Sequence, residues 1–543
     1  MLVRQRKVTA LALIAMLAAA ACSTEEKRST GSPAPNGAAP APAKRGGTFR
    51  MAISEPRWID PALGEFLISK RLFVGLTMFD GNPELKMRPA VADTWAATAD
   101  CMQWTFNLRP NKFSNGEDVT AESFIRGWTR AADGRAASLV AAHLAGIQGY
   151  KELHGEVGSP TATTFSGLSA PNPQTLVVRL SSPDCEFDKK SNHTVMSPVP
   201  SVAGAADNKT FNEAPIGNGP FMFKPGTKWE HDKGISLVRN ESYFDAKPNI
   251  DGIEFTVFPA QNASENIYKA FQVGELDIAA VPLGLRSQSD ATYSPQGGFI
   301  RHLGYAISFM VPNNAKGPMA NADARKAVSL ALDRDAINSG ISQGYAIPAT
   351  ALIPPPFGDF HQPGTCEGCK YDPVRAKELA AKGGLAPGTR LKFLAPASPV
   401  PQAMKEMLER TLDIVVDLQS PPGGALLQSM RAGDFDIGLN GWHADYPTPD
   451  NFLFPLLGTG SGENDSRYSN PEFDALIRRE RTQKDDNERR RIFLEAERIA
   501  IGRDQALIPT FYIPSLMVVD GQKWTGVTLN FFDHPRFETM SLK

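Results

Sequence analysis

The stretch from 391 to 442 constrains this chain most. Residues 391–394 read as a short strand, 402–412 as a helix and 413–418 as a second strand. A second helix, 425–431, stops before Gly433, and 435–442 is a strand again. A β-α-β-α-β order of this kind implies a parallel sheet with right-handed crossovers. An echo lies upstream, where a helix over 264–273 ends at Gly274 and Asp277-Ile278 opens a strand, as Asp436-Ile437 does after Gly433. Either glycine can end its helix with positive φ. Two such units predict two lobes of similar α/β construction, with a cleft between them where ligands favour binding.

The rest of the chain agrees with a mixed α/β body. Trp104, Phe106 and Leu108 alternate with polar residues, and Asn115-Gly116 is a hairpin signal. Thr120 caps a helix that carries Phe124 and Trp128 on one face. Strands are expected over 176–180 and 253–257, and a helix over 323–337. Asp372-Pro373 and Asn470-Pro471 each read as an N-cap followed by proline at the first helical position. About 500 residues of body exceed what one hydrophobic core serves, which suits two or three lobes.

The N-terminus sets the compartment. Arg4, Arg6 and Lys7 precede an apolar run from 8 to 21 that is too short to span a bilayer and reads as a secretory signal. Ala19, Ala20 and Ala21 lead into Cys22 in a pattern that resembles a bacterial lipobox, with Ala19 where leucine is usual. The resemblance implies a lipid on Cys22 as the first mature residue. Residues 22–45 hold no large apolar side chain and should form a flexible tether. The expected product is an extracytoplasmic protein anchored at the membrane by its lipid.

Net charge is −2, or −5 once the three positive charges of the signal are set aside. There is neither the basic patch of a nucleic-acid binder nor an acidic tail. Cys101, Cys185, Cys366 and Cys369 remain after Cys22, an even count that points to disulfides outside the cell. Cys366 and Cys369 suit a local bridge, and Cys101 with Cys185 follows by elimination. A zinc half-site shares the 366–369 spacing but would need a second pair or nearby histidines.

Just past the 435–442 strand comes Trp442-His443-Ala444-Asp445-Tyr446-Pro447. Ligands of open parallel sheets sit beyond the carboxyl ends of strands, so an aromatic pair around a carboxylate there is a candidate site. Catalysis finds little support. Gly340-Ile-Ser342-Gln-Gly344 matches G-x-S-x-G but follows a helix, whereas a nucleophile elbow needs a strand before it. No histidine pair has H-E-x-x-H spacing. No cofactor is expected.

The residues also resemble a known family. Gly47-Thr-Phe-Arg-Met-Ala-Ile-Ser-Glu-Pro with Ile59-Asp-Pro, Ala90-Val-Ala-Asp-Thr-Trp95 and Trp104-Thr-Phe-Asn-Leu-Arg109 come first. Lys112-Phe-Ser-Asn-Gly116 and Val119-Thr-Ala-Glu-Ser-Phe124 follow, then Gly217-Asn-Gly-Pro-Phe221, and Arg239-Asn240 with Tyr243. Asp323-Ala-Arg-Lys-Ala-Val-Ser-Leu-Ala-Leu-Asp-Arg-Asp335, Gly441-Trp-His-Ala-Asp-Tyr-Pro447 and Asp450-Asn-Phe452 complete the series. In order and spacing the chain resembles family 5 of the bacterial extracellular solute-binding proteins, the oligopeptide-, dipeptide- and nickel-binding lipoproteins of ABC importers.

The resemblance implies a periplasmic-binding-protein type II-like fold, with two α/β lobes around a cleft plus an inserted third. Lobe I is assigned to 46–82, 196–303 and 506–543, lobe II to 83–195, and lobe III to 304–505, with hinges near 301–302 and 504–505. It implies a monomeric receptor that captures short peptides, closes over them and docks on a membrane permease. Relatives also carry oligosaccharides, nickel chelates or haem, and an exported hydrolase is the reading from a different class. Asp445 matches the carboxylate that holds the ligand amine in peptide-binding relatives. Trp442 and Tyr446 would line the pocket, and Glu65 would offer a second acidic contact. His443 sits at the variable place, where a metal chelate is the other possible partner.

Overall fold

A computed structural model describes residues 44–543 apart from 65, 82–83, 156–158, 206–207, 262 and 423. The signal, Cys22 and nearly all of the expected tether lie outside the described residues, as does Glu65. The tether expected over 22–45 gives way to structure slightly sooner. Lys44 already pairs with Leu542, and the Gly46 amide donates to the Asn249 carbonyl at 2.9 Å. Among the described residues no helix is long and apolar enough to cross a membrane.

Three larger sheets organise the described residues. One has seven strands in the order Phe299–His302, Ser515–Val519, Ile278–Ala280, Thr48–Ile53, Gly252–Val257, Gly234–Arg239, Phe221–Phe223. A second has six, in the order Ile347–Pro348, Ile508–Tyr512, Ala306–Pro312, Ile437–His443, Arg390–Leu394, Val415–Gln419. The third is antiparallel, in the order Ala92–Ala97, Gln103–Leu108, Thr175–Arg179, Leu168–Asn172. Each carries its own apolar core, as a chain too long for one core requires.

The expected parallel unit is present. Arg390–Leu394 runs parallel to Val415–Gln419 and to Ile437–His443, with helices Pro399–Leu412 and Gly424–Ala432 as crossovers. The upstream echo has the same chemistry at its centre. Gly274 and Gly433 end their helices at φ +77° and +72°. The aspartate that follows then clips onto the neighbouring parallel strand. Asp277 accepts the Arg50 amide at 2.8 Å and donates its own amide to the Arg50 carbonyl at 2.9 Å. Asp436 does the same with Lys392, at 2.8 and 3.1 Å. In both places a carboxylate satisfies an amide that the short strand leaves unpaired.

Turn and cap signals fall where the residues put them. Gly116 has φ +88° inside the Lys112–Asp118 turn, and Thr120 forms a capping box with Ser123 ahead of Ala121–Ala132. Asp372 and Asn470 cap the helices Pro373–Lys382 and Pro471–Glu480. Cys101 is bonded to Cys185 and Cys366 to Cys369.

One expectation needs correction. The helix expected over 323–337 is two, Ala322–Leu330 and Arg334–Gly340. Asp333 accepts the Ala336 amide as a new N-cap, and buried Arg334 turns inward to the carbonyls of Pro509 and Cys369. The chain leaves the six-stranded sheet for the seven-stranded one at 513–514. Ile508–Tyr512 still pairs with Ala306–Pro312, and Ser515–Val519 is the first strand back in the seven-stranded sheet. The outward crossing lies at 303–305.

Asp277 is fully buried, with Arg50 at 2.7 Å and Lys523 at 3.0 Å. Burial works against its charge, yet the hydrogen bonds from Arg50 and Lys523 hold the carboxyl below its ordinary range. Asp277→Ala should cost about 2–3 kcal/mol. Because the folded pKa is depressed, this contribution is present above the unfolded pKa of about 3.9 and lost as pH falls through the folded value. Thermal melts at pH 7 read the difference; an unchanged melting temperature would refute the role given to this carboxylate.

Candidate functional site

The strand Ile437–His443 delivers the candidate residues. Its last two positions pair with Ile307 and Ala306, and the Ala444 amide extends the ladder to the Tyr305 carbonyl at 3.0 Å. Side chains of successive strand residues point to opposite faces, so Trp442 and His443 part company here. Trp442, Asp445 and Tyr446 face a cleft of about 490 Å³. The opposite wall comes from the four-stranded-sheet segment and includes His143, Leu180, Asp184 and Lys190.

Asn451 holds the loop in shape. Its Oδ1 accepts the Trp442 indole N–H at 3.1 Å and the Asp445 amide at 2.9 Å, and its Nδ2 donates to Asp445 Oδ2 at 3.4 Å. Across the cleft, His143 Nε2 stands 3.8 Å from the same Oδ2. Asp445 Oδ1 has no hydrogen bond among the described residues and remains for a partner from the cleft. Burial pushes the Asp445 carboxyl up, against the pull of His143. Burial likewise holds His143 below its ordinary value, against the pull of Asp445.

Tyr446 is buried, with Lys190 Nζ 5.6 Å from its ring centre. Lys190 is itself held by Asp184 and by Asp450 at 3.6 Å, so it closes the cleft floor as a paired cation. His443 points elsewhere. Its ring stacks on Phe532 at 6.2 Å and its Nε2 lies 3.7 Å from Asp533, a carboxylate that His302 also approaches at 3.3 Å. The expected grouping of His443 with Asp445 therefore gives way to His143 and His193, whose rings stack at 4.0 Å.

His143, His193 and Asp445 place one ligand atom each within 4.8 Å of one another, a set able to hold a metal ion. His193 weakens that use. Its Nδ1 accepts the Val195 amide at 3.0 Å, so the neutral ring keeps its proton on Nε2 and offers no lone pair there.

Sequence reasoning finds Trp442, Asp445 and Tyr446 because they sit at one strand end. It misses His143 and His193, which lie in short 3₁₀ turns, Ala141–Leu144 and the approach to Thr194–Met196, where no periodicity marks them. Asn451 is visible only as part of a motif, without its bracing role.

The model of the bacterial extracellular solute-binding proteins, family 5 (its middle region), matches residues 86–464. The chain is 29% identical over 491 residues to the oligopeptide-binding protein OppA of Bacillus subtilis, covering 86% of this chain and 87% of that one. It is also 29% identical over 496 residues to the periplasmic oligopeptide-binding protein OppA of Salmonella typhimurium, covering 87% and 88%. The structure of the murein tripeptide binding protein MppA of Escherichia coli superposes with a TM-score of 0.75 at 25% identity, covering 92% and 98%. The fold is thus the periplasmic-binding-protein type II-like arrangement.

The environment of Asp445 is open to titration. In ligand-free protein, ¹³C NMR should find its carboxyl above the ordinary 3.8. His143→Phe, which keeps the bulk and removes the imidazole, should raise it further. A value at or below 3.8 would contradict the dominance of burial over the His143 contact.

Proposed function

The chain belongs to the bacterial extracellular solute-binding proteins of family 5, and from that premise we propose that it captures short peptides outside the cytoplasm and delivers them to an ABC-type permease. Proteins of the family bind rather than transform their solutes, and the candidate site asks for no chemistry beyond hydrogen bonds and ion pairs. The observation that carries the reading is Asp445, a carboxylate at a strand end that lines a cleft between two sheet-bearing parts and has only Oδ2 hydrogen-bonded among the described residues. An ammonium group entering there gains a charge-assisted bond in a partly dry setting. Peptide cargo is supported by the two OppA relatives, whose names state oligopeptide binding.

We assign lobe I to the seven-stranded sheet, lobe II to the four-stranded sheet and lobe III to the six-stranded sheet. The crossings at 303–305 and 513–514 would be the hinge. Ligand contacting both sides of a cleft shifts the hinge equilibrium by its differential affinity for the closed state. A lipid on Cys22 would keep a monomeric receptor beside its permease.

Asp445→Asn preserves shape and removes charge. Loss of one partner from a buried charge pair costs about 2–5 kcal/mol, so peptide affinity should fall roughly 30- to 5,000-fold. The melting temperature of the unliganded protein should hardly change. Calorimetry on residues 23–543 with a peptide found by mass spectrometry of ligand released from protein purified from its own host is the direct test. Equal affinity in the variant would remove the amine anchor, and a released sugar, metal complex or haem would overturn the cargo.

A further inference from the structure

The two cleft walls are joined a second time, away from the cleft lining. On one wall the segment 184–190 follows the Cys101–Cys185 bridge. On the other lie Thr448, Asp450 and the helices Pro471–Glu480 and Asp486–Glu497. Glu186, buried between them, accepts from Lys189 of its own wall at 2.6 Å, and from Arg489 and the Thr448 hydroxyl of the other. Arg489 also holds Glu480 at 3.3 Å and Asp486 at 3.0 Å. The Cys185 amide donates across the seam to the Arg481 carbonyl at 2.9 Å, and at the rim Lys484 Nζ donates to the Thr98 carbonyl at 2.8 Å.

Asp450 shows what the seam compensates. It is 1% exposed, and neither of its oxygens has a hydrogen bond among the described residues. Its charge is offset by Lys190 of the opposite wall at 3.6 Å and by Arg481 of its own at 3.7 Å. Parting the walls would separate Arg489 from Glu186 and Lys190 from Asp450, and return all four to water. A buried network of this kind is close to break-even as a whole, because desolvation offsets attraction, whereas stranding one of its partners is costly. Lys190 and Arg481 also line the cleft, but Glu186, Thr448, Glu480 and Arg489 are absent from its lining. The core of the seam therefore makes and breaks with the walls, whatever lies between them.

We propose that this seam is a cargo-independent latch, in which Glu186 and Arg489 hold the walls together, set how often the receptor is closed between cargoes, and so scale the affinity for every cargo by one factor. It acts on the hinge assigned above, and its effect on affinity rests on the receptor reading. A latch near break-even leaves the open and closed forms comparably populated. A modest differential affinity of cargo for the closed form then suffices to tip the balance. Removing one partner of the buried pair shifts that balance toward the open form before any cargo arrives.

Glu186→Gln keeps the shape and strands Arg489. Small-angle scattering on cargo-free protein should give the variant a larger radius of gyration than wild type. Hydrogen exchange at the Cys185 amide reads the same step: partial protection in cargo-free wild type, and exchange at least about tenfold faster in the variant. By calorimetry trialanine and trileucine should each bind the variant roughly 5- to 50-fold more weakly, as a closed-to-open ratio lowered about 10- to 100-fold from near unity requires. The ratio of the two affinities should not change. Equal radius with equal Cys185 exchange would overturn the latch, as would a loss of affinity confined to one tripeptide. Wild type decides alone if the variant does not fold. A Cys185 amide either unprotected in cargo-free protein, or protected as fully as the sheet cores in the manner of a permanent joint, sinks the idea. If neither tripeptide binds, scattering and exchange still decide the latch, and only the cargo reading falls.

Discussion

The buried carboxylate of Glu186 fixes the geometry on which the cleft depends. It sits 2% exposed between segments far apart in sequence, accepting from Arg489 and from Lys189 at 2.6 Å through Oε1, and from the Thr448 hydroxyl through Oε2. Arg489 in turn reaches Glu480 at 3.3 Å and Asp486 at 3.0 Å. Thr448 lies three residues past Asp445, and Glu186 follows Cys185, whose bond to Cys101 and whose amide bond to the Arg481 carbonyl anchor that segment. One acid thus clamps the wall that carries Asp445 to the wall that carries His143. A buried network of this type adds little net stability, since desolvation offsets most of the attraction. Its value is registry. Glu480, held well above its ordinary range by burial and by Asp450 and Asp184, marks how tightly the negative groups are gathered there.

A second constraint acts at the level of the sheets. Asp277 and Asp436 perform the same backbone repair at equivalent points of two parallel units, each bridging to the strand that its own strand lies beside. The two differ in what surrounds them. Asp277 is capped by Arg50 and Lys523, while near Asp436 the Lys392 ammonium turns to Asp434 instead. The repeated clip positions the strand ends, and the strand that ends at His443 is the one that presents the loop carrying Asp445.

Local chemistry and long-range packing therefore differ in how far the amino-acid sequence discloses them. Helix stops, N-caps and parallel units are local chemistry, so Gly433, Asp372, Asn470 and the 391–442 unit are legible. Asp445 is legible for the same reason, since one strand end carries it with Trp442 and Tyr446. His143 and His193 are not, because nothing near them in sequence says what they will face. Their meaning comes from packing across about 250 to 300 residues of chain separation, and short 3₁₀ turns leave no hydrophobic period to read. His443 misleads for a related reason. Strand alternation predicts that it points away from its neighbour Trp442, but adjacency to Asp445 in the chain makes it look like a partner.

Asp445 is displaced upward, with burial as the largest cause and His143 and Asn451 opposing it. A buried carboxylate that its neighbours compensate only in part costs free energy while the cleft is empty. On the reading proposed above, a ligand ammonium removes that cost when the cleft closes over it. Part of the differential affinity that drives closure would then come from relieving the empty site, beside the contacts made.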